Sequence, residues 1–226
     1  MALLLNIDTA TEVASVCVSL NGSSVAFKEN KHQKEHASFV HAAVKSILEE
    51  AGIQLKDVDA FAVTSGPGSY TGLRVGMATA KGFCYAFSKP LIAINTLEVM
   101  AKAALDINAG LDETTLLCPM IDARRMEVFT AIFDYNLKTL LPPQPLILEE
   151  NTFNSLITEE KIIFFGSGSA KFKLVTTLKN AVFENIESDA KNLASLADQA
   201  FQQKKFTDVS YSEPNYFKDF QSTAKR

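Results

Sequence analysis

Residues 65–76 have the sequence Ser65-Gly66-Pro67-Gly68-Ser69-Tyr70-Thr71-Gly72-Leu73-Arg74-Val75-Gly76. An apolar run, Phe61–Val63, precedes this turn, and a helical pattern follows it to about Phe87. A glycine-rich turn between a strand and a helix can bind a phosphate, because backbone N–H groups and the helix N-terminus face the anion. The spacing fits neither the Walker loop nor the dinucleotide loop, since Gly68 and Gly72 are four residues apart. The turn is therefore either an anion site or a tight helix entrance.

Small residues continue along one face of this predicted helix. Gly72, Gly76 and Ala80 are spaced four apart, so they lie above one another on the helix surface. Glycine inside a helix is about 1 kcal/mol less favourable than alanine, which suggests that another backbone approaches closely. That neighbour is either the chain's own sheet or a helix of a partner protein.

Composition narrows the class of protein. The chain has 226 residues, a net charge of −4 and 47% hydrophobic residues, which argues against disorder and against nucleic-acid binding through a basic face of this chain alone. No apolar run approaches the roughly 18 residues of a membrane span. The run Leu3–Leu5 is cut short by Asn6, so it predicts a first strand and not a signal peptide. Three cysteines at unrelated spacings favour a reduced, cytoplasmic location.

The pattern predicts two α/β lobes, residues 1–108 and residues 109–226, with a boundary near Ala109–Glu113. The first lobe is predicted to contain strands at Leu3–Asp8, Val13–Leu20, Ser24–Lys28, Ala60–Thr64 and Leu91–Ile94, and helices at Glu35–Ala51, Gly72–Phe87 and Thr96–Ile107, the last capped by Thr96. The second is predicted to contain a hairpin of Thr115–Ile121 and Glu127–Phe133, a loop at Leu137–Pro145, a short helix at Thr152–Ile157, a strand at Ile162–Phe165, one or two further helices and an extended tail, Ser212–Phe217. The second half loosely repeats the first.

Several motifs together resemble a known family. A strand that ends in Asp8, then a threonine-bearing turn and a second strand, resembles the phosphate hairpin of the actin–sugar kinase–Hsp70 (ASKHA) superfamily, and Asp122 has the equivalent place in the second lobe. The motifs that carry the closer resemblance, to the TsaB (YeaZ) family, are Ile7–Glu12, Glu35-His36, residues 66–76, Ile121–Arg124 and Pro214–Tyr216. The resemblance implies a two-lobed actin-like ATPase fold, related to ribonuclease H, in which helices flank mixed sheets.

The same resemblance implies a function in assembly. It predicts a protein that is not itself an enzyme but supports its catalytic paralogue TsaD in the threonylcarbamoyladenosine modification of tRNA. The implied partners are TsaD, the ATPase TsaE and, where TsaD is absent, a second copy of the chain; tRNA would be met only through the complex. No cofactor and no membrane are expected. The predicted partner-binding face lies on two helices and comprises His36, Phe39, Val40, Ala43, Ile47, Gly72, Val75, Gly76, Thr79, Ala80 and Phe83.

A nucleotide or phosphate site is the alternative that the residues leave open. Its candidate residues are Asp8, Thr9, Thr11, Gly66, Gly68, Ser69, Asp122 and Arg124. Asp8 is either a carboxylate that acts on a magnesium-bound water or a turn-capping residue. Asp122 with Arg124 and Arg125 either engages an anion or forms a salt bridge across the cleft. A stand-alone ATPase or small-molecule kinase would need Asp8 and Asp122 to face one cleft.

Metal chemistry is not expected. In the catalytic paralogue, the resemblance implies, a His-x-x-x-His metal pair follows the strand after the glycine-loop helix. Thr96 and Met100 occupy these places here, and neither side chain replaces an imidazole ligand. The run His32–His36 matches the His-x-x-Glu-His pattern of one zinc-protease class, but His32 falls in a polar turn before the helix. A zinc hydrolase is therefore the third interpretation.

Overall fold

The structure is a computed structural model that describes residues 1–32, 36–154, 156–157 and 159–217. The predicted Glu35 start of the first helix and the basic ending Lys225-Arg226 lie outside these residues. Among the described residues, no helix is long and apolar enough to cross a membrane.

The first half of the chain forms one five-stranded mixed sheet. Its strands are β1 (Leu3–Asp8), β2 (Ala14–Leu20), β3 (Ser23–Asn30), β4 (Ala60–Thr64) and β5 (Leu91–Ile94), in the order β3-β2-β1-β4-β5. Strand β1 pairs antiparallel with β2 and parallel with β4, as expected when β2 returns through a hairpin and β4 follows a crossover helix. The turn between β2 and β3 has positive φ at both Asn21 and Gly22, a conformation that an Asn-Gly pair favours in a two-residue hairpin turn.

The second half repeats this topology. Its strands are β6 (Leu116–Asp122), β7 (Glu127–Phe133), β8 (Thr139–Ile147), β9 (Ile162–Phe165) and β10 (Ala181–Phe183), in the order β10-β9-β6-β7-β8. When β6 is counted as the first strand of this sheet, the spatial order is the same as in the first sheet, and the antiparallel and parallel pairs fall in the same places. The two repeated mixed sheets confirm the predicted actin-like fold class.

Five helices cover the sheets in the described part of the chain: α1 (His36–Ala51), α2 (Tyr70–Phe87), α3 (Thr96–Ile107), α4 (Ser169–Lys173) and α5 (Ala190–Gln202). Side chains alternate across β1, so Leu5 and Ile7 pack with α1 and α2 while Leu4 packs with α5. Helix α5 thus lies on the first sheet although it follows the second sheet in sequence. The predicted division between residues 108 and 109 stays a prediction.

Three local predictions are wrong. The proline-rich segment predicted as a loop is strand β8, which tolerates Pro142, Pro143 and Pro145 because it is the edge strand of its sheet. The described residues of 152–157 form turns in place of the predicted short helix. Helix α3 is capped by Asn95, whose side chain accepts a hydrogen bond from Leu97 N, whereas the predicted cap Thr96 is the first residue of the helix.

Candidate functional site

One candidate site is a cleft of about 750 Å³ between the two sheets, which we call the interlobe cleft. The β1–β2 turn at 10–13 and the start of α2 at 68–71 line it from the first sheet. The β6–β7 turn at 121–124, residues 166–167 after β9 and the link 185–188 line it from the second half of the chain, together with Met100 of α3. Of the predicted phosphate-site residues, the lining includes Thr11, Gly68, Ser69, Asp122 and Arg124.

The glycines of the α2 turn pack against the β1–β2 turn. A Cβ atom at Gly68 would lie 2.2 Å from the carbonyl oxygen of Ala10, and one at Gly72 would lie 2.0 Å from that of Thr9. Ser69 N donates a hydrogen bond of 2.7 Å to the Ala10 carbonyl. The hydroxyl of Thr9 donates one of 2.7 Å to the Gly72 carbonyl. The chain's own backbone therefore lies against these glycines, where a phosphate was the alternative.

Asp8 is fully buried at the end of β1 and is not among the residues that line the cleft. Its Oδ1 accepts hydrogen bonds from Ala10 N at 3.1 Å and from the hydroxyl of Thr64 at 2.9 Å, while Oδ2 is buried without a hydrogen-bond partner. Burial raises the pKa of Asp8 to about 6, although these two hydrogen bonds act in the opposite direction. This geometry is that of a turn-capping carboxylate, and it does not bring Asp8 and Asp122 to one cleft surface.

Asp122 lies at the start of the β6–β7 turn and is partly exposed. Its Oδ1 forms a hydrogen-bonded ion pair with Lys171 Nζ at 2.8 Å and accepts a hydrogen bond of 2.6 Å from Arg124 N. Partial burial raises the pKa of Asp122, but the hydrogen bonds from Lys171 and Arg124 N outweigh it, so the net shift is downward. Asp122 is thus paired with Lys171 within the second half and not across the cleft as one of the alternatives predicted, and Arg124 contributes its backbone N–H. Sequence reasoning missed Lys171, which lies 49 positions further along the chain.

Gly66 has φ +107° and faces the C-terminal segment. A Cβ at this position would lie 2.8 Å from the carbonyl oxygen of Asn215. Its N–H donates a 3.1 Å hydrogen bond to the hydroxyl of Thr96, and the methyl group of Met100 lies near Gly166. Thr96 and Met100 are therefore both used in internal packing. Among the described residues, no group of three or more histidine, cysteine or carboxylate side chains is placed to hold a metal ion.

The predicted partner-binding face needs correction at most of its positions. His36, Val40, Ala43, Ile47, Gly72, Gly76, Thr79 and Ala80 are buried within the chain. His36 contacts the Glu12 carbonyl through Nε2 at 3.2 Å, and a Cβ at Gly76 would lie 2.4 Å from Thr9 Oγ1. These residues pack on the chain's own sheet, so they do not form a free surface. Phe39, Val75 and Phe83 are half-buried at its border.

An apolar groove of about 350 Å³ lies beside these border residues, between α1 and the α2 residue Phe83. Val44, Leu48, Ile53, Leu55 and Phe83 supply its apolar lining, and His41, Lys45 and Glu49 its polar lining. The rings of His41 and Phe83 meet edge to face at 6.1 Å. Gly82, next to Phe83, is exposed and has open space where a side chain would lie. We call this groove, together with Gly82, the α1/α2 surface. The sequence shows the apolar periodicity of α1, but it does not show which residues at the edge of that apolar stripe face solvent.

Comparison with known proteins gives one consistent result. The profile of the family described as TsaD, tRNA N6-adenosine threonylcarbamoyltransferase, matches residues 29–221. The Haemophilus influenzae tRNA threonylcarbamoyladenosine biosynthesis protein TsaB is 36% identical over 56% of the chain, an alignment that spans only 51% of that protein. The Bacillus subtilis TsaB is 25% identical over 98% of the chain and 96% of its own length. A crystal structure of a Pseudomonas aeruginosa protein with similarity to peptidase YeaZ superposes with a TM-score of 0.86 at 25% identity, and covers 96% of this chain and all of that one. The chain therefore belongs to the tRNA N6-adenosine threonylcarbamoyltransferase family, and the relatives it resembles over nearly its full length are the TsaB (YeaZ) proteins.

Proposed function

We propose that this chain is a non-catalytic partner of the TsaD transferase in the synthesis of threonylcarbamoyladenosine in tRNA. The names of its TsaB relatives place those proteins in this biosynthesis, and the family profile is named for the transferase itself. The proposed complex contains TsaD and the ATPase TsaE, with tRNA bound through the complex. In the absence of TsaD, two copies of the chain would pair through the surface that otherwise binds TsaD.

The observation that carries the non-catalytic role is the packing of the glycine turn. Carbonyl oxygens of Thr9 and Ala10 lie 2.0 and 2.2 Å from the positions that a Cβ atom would take at Gly72 and Gly68, so on this side of the two glycines the β1–β2 turn fills the space that a phosphate would need. Carbonyl oxygens carry partial negative charge and would repel a phosphate at this position. The buried position of Asp8 adds to this argument, because Asp8 does not line the cleft together with Asp122, as the interpretation of a stand-alone ATPase or kinase requires.

The residues around Thr96 support the same conclusion. The Thr96 hydroxyl accepts a hydrogen bond from the turn at Gly66, and Met100 packs against the backbone after β9. Both side chains thus stabilise the junction between the sheets, where the resemblance places metal-binding histidines in the catalytic paralogue. A thioether and a hydroxyl are poor substitutes for two imidazoles at a site for a transition metal.

For the partner surface we propose the α1/α2 surface. It offers an apolar groove with charged groups only at its border, the arrangement typical of the centre of a protein interface. A partner that packs a helix along it would also contact the half-buried Phe39 and Val75. A stable interface of ordinary size buries roughly 800 Å² on each side, which two helices can supply.

The test is reconstitution of threonylcarbamoyl transfer from threonylcarbamoyl adenylate to tRNA by TsaD and TsaE, with and without this chain. We expect modification only when the chain is present, and no turnover of ATP by the chain alone. Transfer that is indifferent to the chain would refute the proposal. ATP turnover by the isolated chain would favour the alternative of a stand-alone ATPase.

A matched pair of variants tests the surface. Gly82→Arg places a large cation on the exposed side of α2, next in sequence to the groove residue Phe83, whereas Gly110→Arg makes the same change on the loop after α3; both glycines have open space where a side chain would lie. We expect Gly82→Arg to weaken TsaD binding at least tenfold in titration calorimetry, and Gly110→Arg to leave it unchanged. Equal binding by both variants would exclude the α1/α2 surface.

A further inference from the structure

The C-terminal segment, residues 206–217, runs along the first sheet and the whole length of α2. It starts at the edge of the sheet, where Thr207 N donates to the Leu91 carbonyl at 2.8 Å and Ala93 N donates to the Thr207 hydroxyl at 3.2 Å. Within the last two turns of α2, Lys81 Nζ donates to the Ser212 carbonyl at 2.8 Å. The segment therefore runs antiparallel to α2, towards the glycine turn.

The segment then fastens the glycine turn. Asn215 N donates to the Ser65 carbonyl at 2.6 Å, and the Asn215 side-chain amide donates to the Ser65 hydroxyl at 3.3 Å. The absence of a side chain at Gly66 is needed here, because a Cβ would lie 2.8 Å from the Asn215 carbonyl. The turn that opens α2 is thus held from one side by the β1–β2 turn and from the other by this segment.

Its last described residues reach the cleft border and the second sheet. The Tyr216 ring lies 5.1 Å from that of Tyr70, a cleft-lining residue, and Tyr216 OH accepts a 3.1 Å hydrogen bond from Arg74 Nε. The Arg74 guanidinium lies 4.1 Å above the centre of the Tyr70 ring. The next residue, Phe217, places its ring 6.0 Å from Phe129 of β7. Tyr216 thus contacts α2, which covers the first sheet, and the adjacent Phe217 contacts the second sheet.

We propose that residues 206–217 form a strap that ties the glycine turn of the first sheet to the second sheet and so sets the opening of the interlobe cleft. Residues 206–212 anchor the strap on the first sheet and α2, and residues 215–217 form its releasable end. Release of Tyr216 and Phe217 removes the Tyr216 ring from beside Tyr70 at the cleft border and removes one connection between the sheets. The inference rests on these contacts and is independent of the proposed function.

The experiment measures the distance between the two lobes with spin labels. The three native cysteines are buried, so labels would attach to cysteines introduced at the exposed residues Ala42 of α1 and Ala170 of α4. The strap variant is Phe217→Ala combined with Tyr216→Ala, and Phe217→Ala alone is the milder form. Tyr211→Ala is the control, because its side chain is 86% exposed within the same segment.

We expect the distance distribution to shift to longer values and broaden in both strap variants, and to match the parent in the control. Amide exchange at Asn215 should speed up about fivefold or more in the double variant, the factor that corresponds to about one lost hydrogen bond. A cooperative melting transition confirms that each variant is folded. Distributions of both strap variants that superimpose on that of the parent would overturn the proposal.

Discussion

Gly76→Ala should destabilise the isolated chain, whereas Gly82→Ala in the same helix should stabilise it. The new Cβ at position 76 would lie 2.4 Å from Thr9 Oγ1 and 3.3 Å from Val63 Cγ2, and at position 82 it would meet nothing within 4 Å. The Thr9 hydroxyl cannot move freely, because it is buried and donates a hydrogen bond to the Gly72 carbonyl. Helix α2 must therefore move away from β1, or this hydrogen bond must break.

The expected magnitudes follow from these contacts. Alanine in place of glycine inside a helix gains about 1 kcal/mol in both variants. At position 76, overpacking takes away about 1–3 kcal/mol, and loss of the Thr9 hydrogen bond about 1 kcal/mol more. We therefore expect Gly76→Ala to lower the free energy of unfolding by about 1–3 kcal/mol and Gly82→Ala to raise it by up to about 1 kcal/mol.

The assay is urea denaturation followed by circular dichroism, on the parent, the two glycine variants, Thr9→Ala and the double variant Thr9→Ala with Gly76→Ala. Removal of the Thr9 hydroxyl makes room for the new methyl group, so the two changes should be coupled by about 1–2 kcal/mol in the double-mutant cycle. The slope of the unfolding free energy against urea should stay constant, which shows that the comparison concerns stability alone.

One result would refute this reasoning. If Gly76→Ala were as stable as Gly82→Ala, and additive with Thr9→Ala, then Gly76 would not pack against the β1–β2 turn. The stripe of small residues would then be free for a partner helix, as the second interpretation of the sequence allows.

Three further predictions concern charge and core packing. Because burial raises the pKa of Asp8 from 3.8 to about 6, its contribution to stability is largest below pH 3.8 and falls by on the order of 3 kcal/mol as the pH rises through about 6. Asp8→Asn should remove this fall, so parallel stability curves of variant and parent against pH would contradict the burial argument. Lys171→Ala should raise the pKa of Asp122, as measured by carbon-13 NMR titration. The free energy of unfolding should fall by less than about 1 kcal/mol, because the ion pair is partly exposed. An unchanged pKa would show that the ion pair is not formed. Phe172→Ala opens the aromatic cluster of the second sheet and should lower the free energy of unfolding by about 3–5 kcal/mol. Amide exchange should become faster first in that sheet. Equally faster exchange in both sheets would contradict a hydrophobic core that belongs to the second sheet alone.

The sequence predicts the bounds of five strands, because their buried residues form recognisable apolar runs. Strands β1, β4, β5, β7 and β9 have the predicted bounds, since each is a short apolar run ended by a polar residue, glycine or proline. Strand β8 was missed because its three prolines argue for a loop, and the local sequence does not show that this segment is the edge of a sheet, where a missing N–H is tolerated.

The candidate site was harder to predict, for a reason of geometry. Helical periodicity identifies the apolar stripes of α1 and α2, but it does not say whether a stripe faces the chain's own sheet or a partner. The predicted partner face was the most apolar stripe, including Val40, Ile47 and Ala80, and a chain buries that stripe in its own core first. The extended tail Ser212–Phe217 was predicted, but its contacts with α2 were not, because contacts such as that of Arg74 with Tyr216 join residues 142 positions apart.

The glycine turn shows that the same kind of glycine-rich sequence can meet either of two physical requirements. A phosphate-binding turn needs glycines so that its backbone can approach an anion, and this turn needs them so that its backbone can approach Thr9 and Ala10. Two of its backbone groups, Ser69 N and the Gly72 carbonyl, form hydrogen bonds with the β1–β2 turn. For an anion to bind on the side of the glycines that faces Thr9 and Ala10, the β1–β2 turn would have to withdraw, and Asp8 holds that turn through Ala10 N.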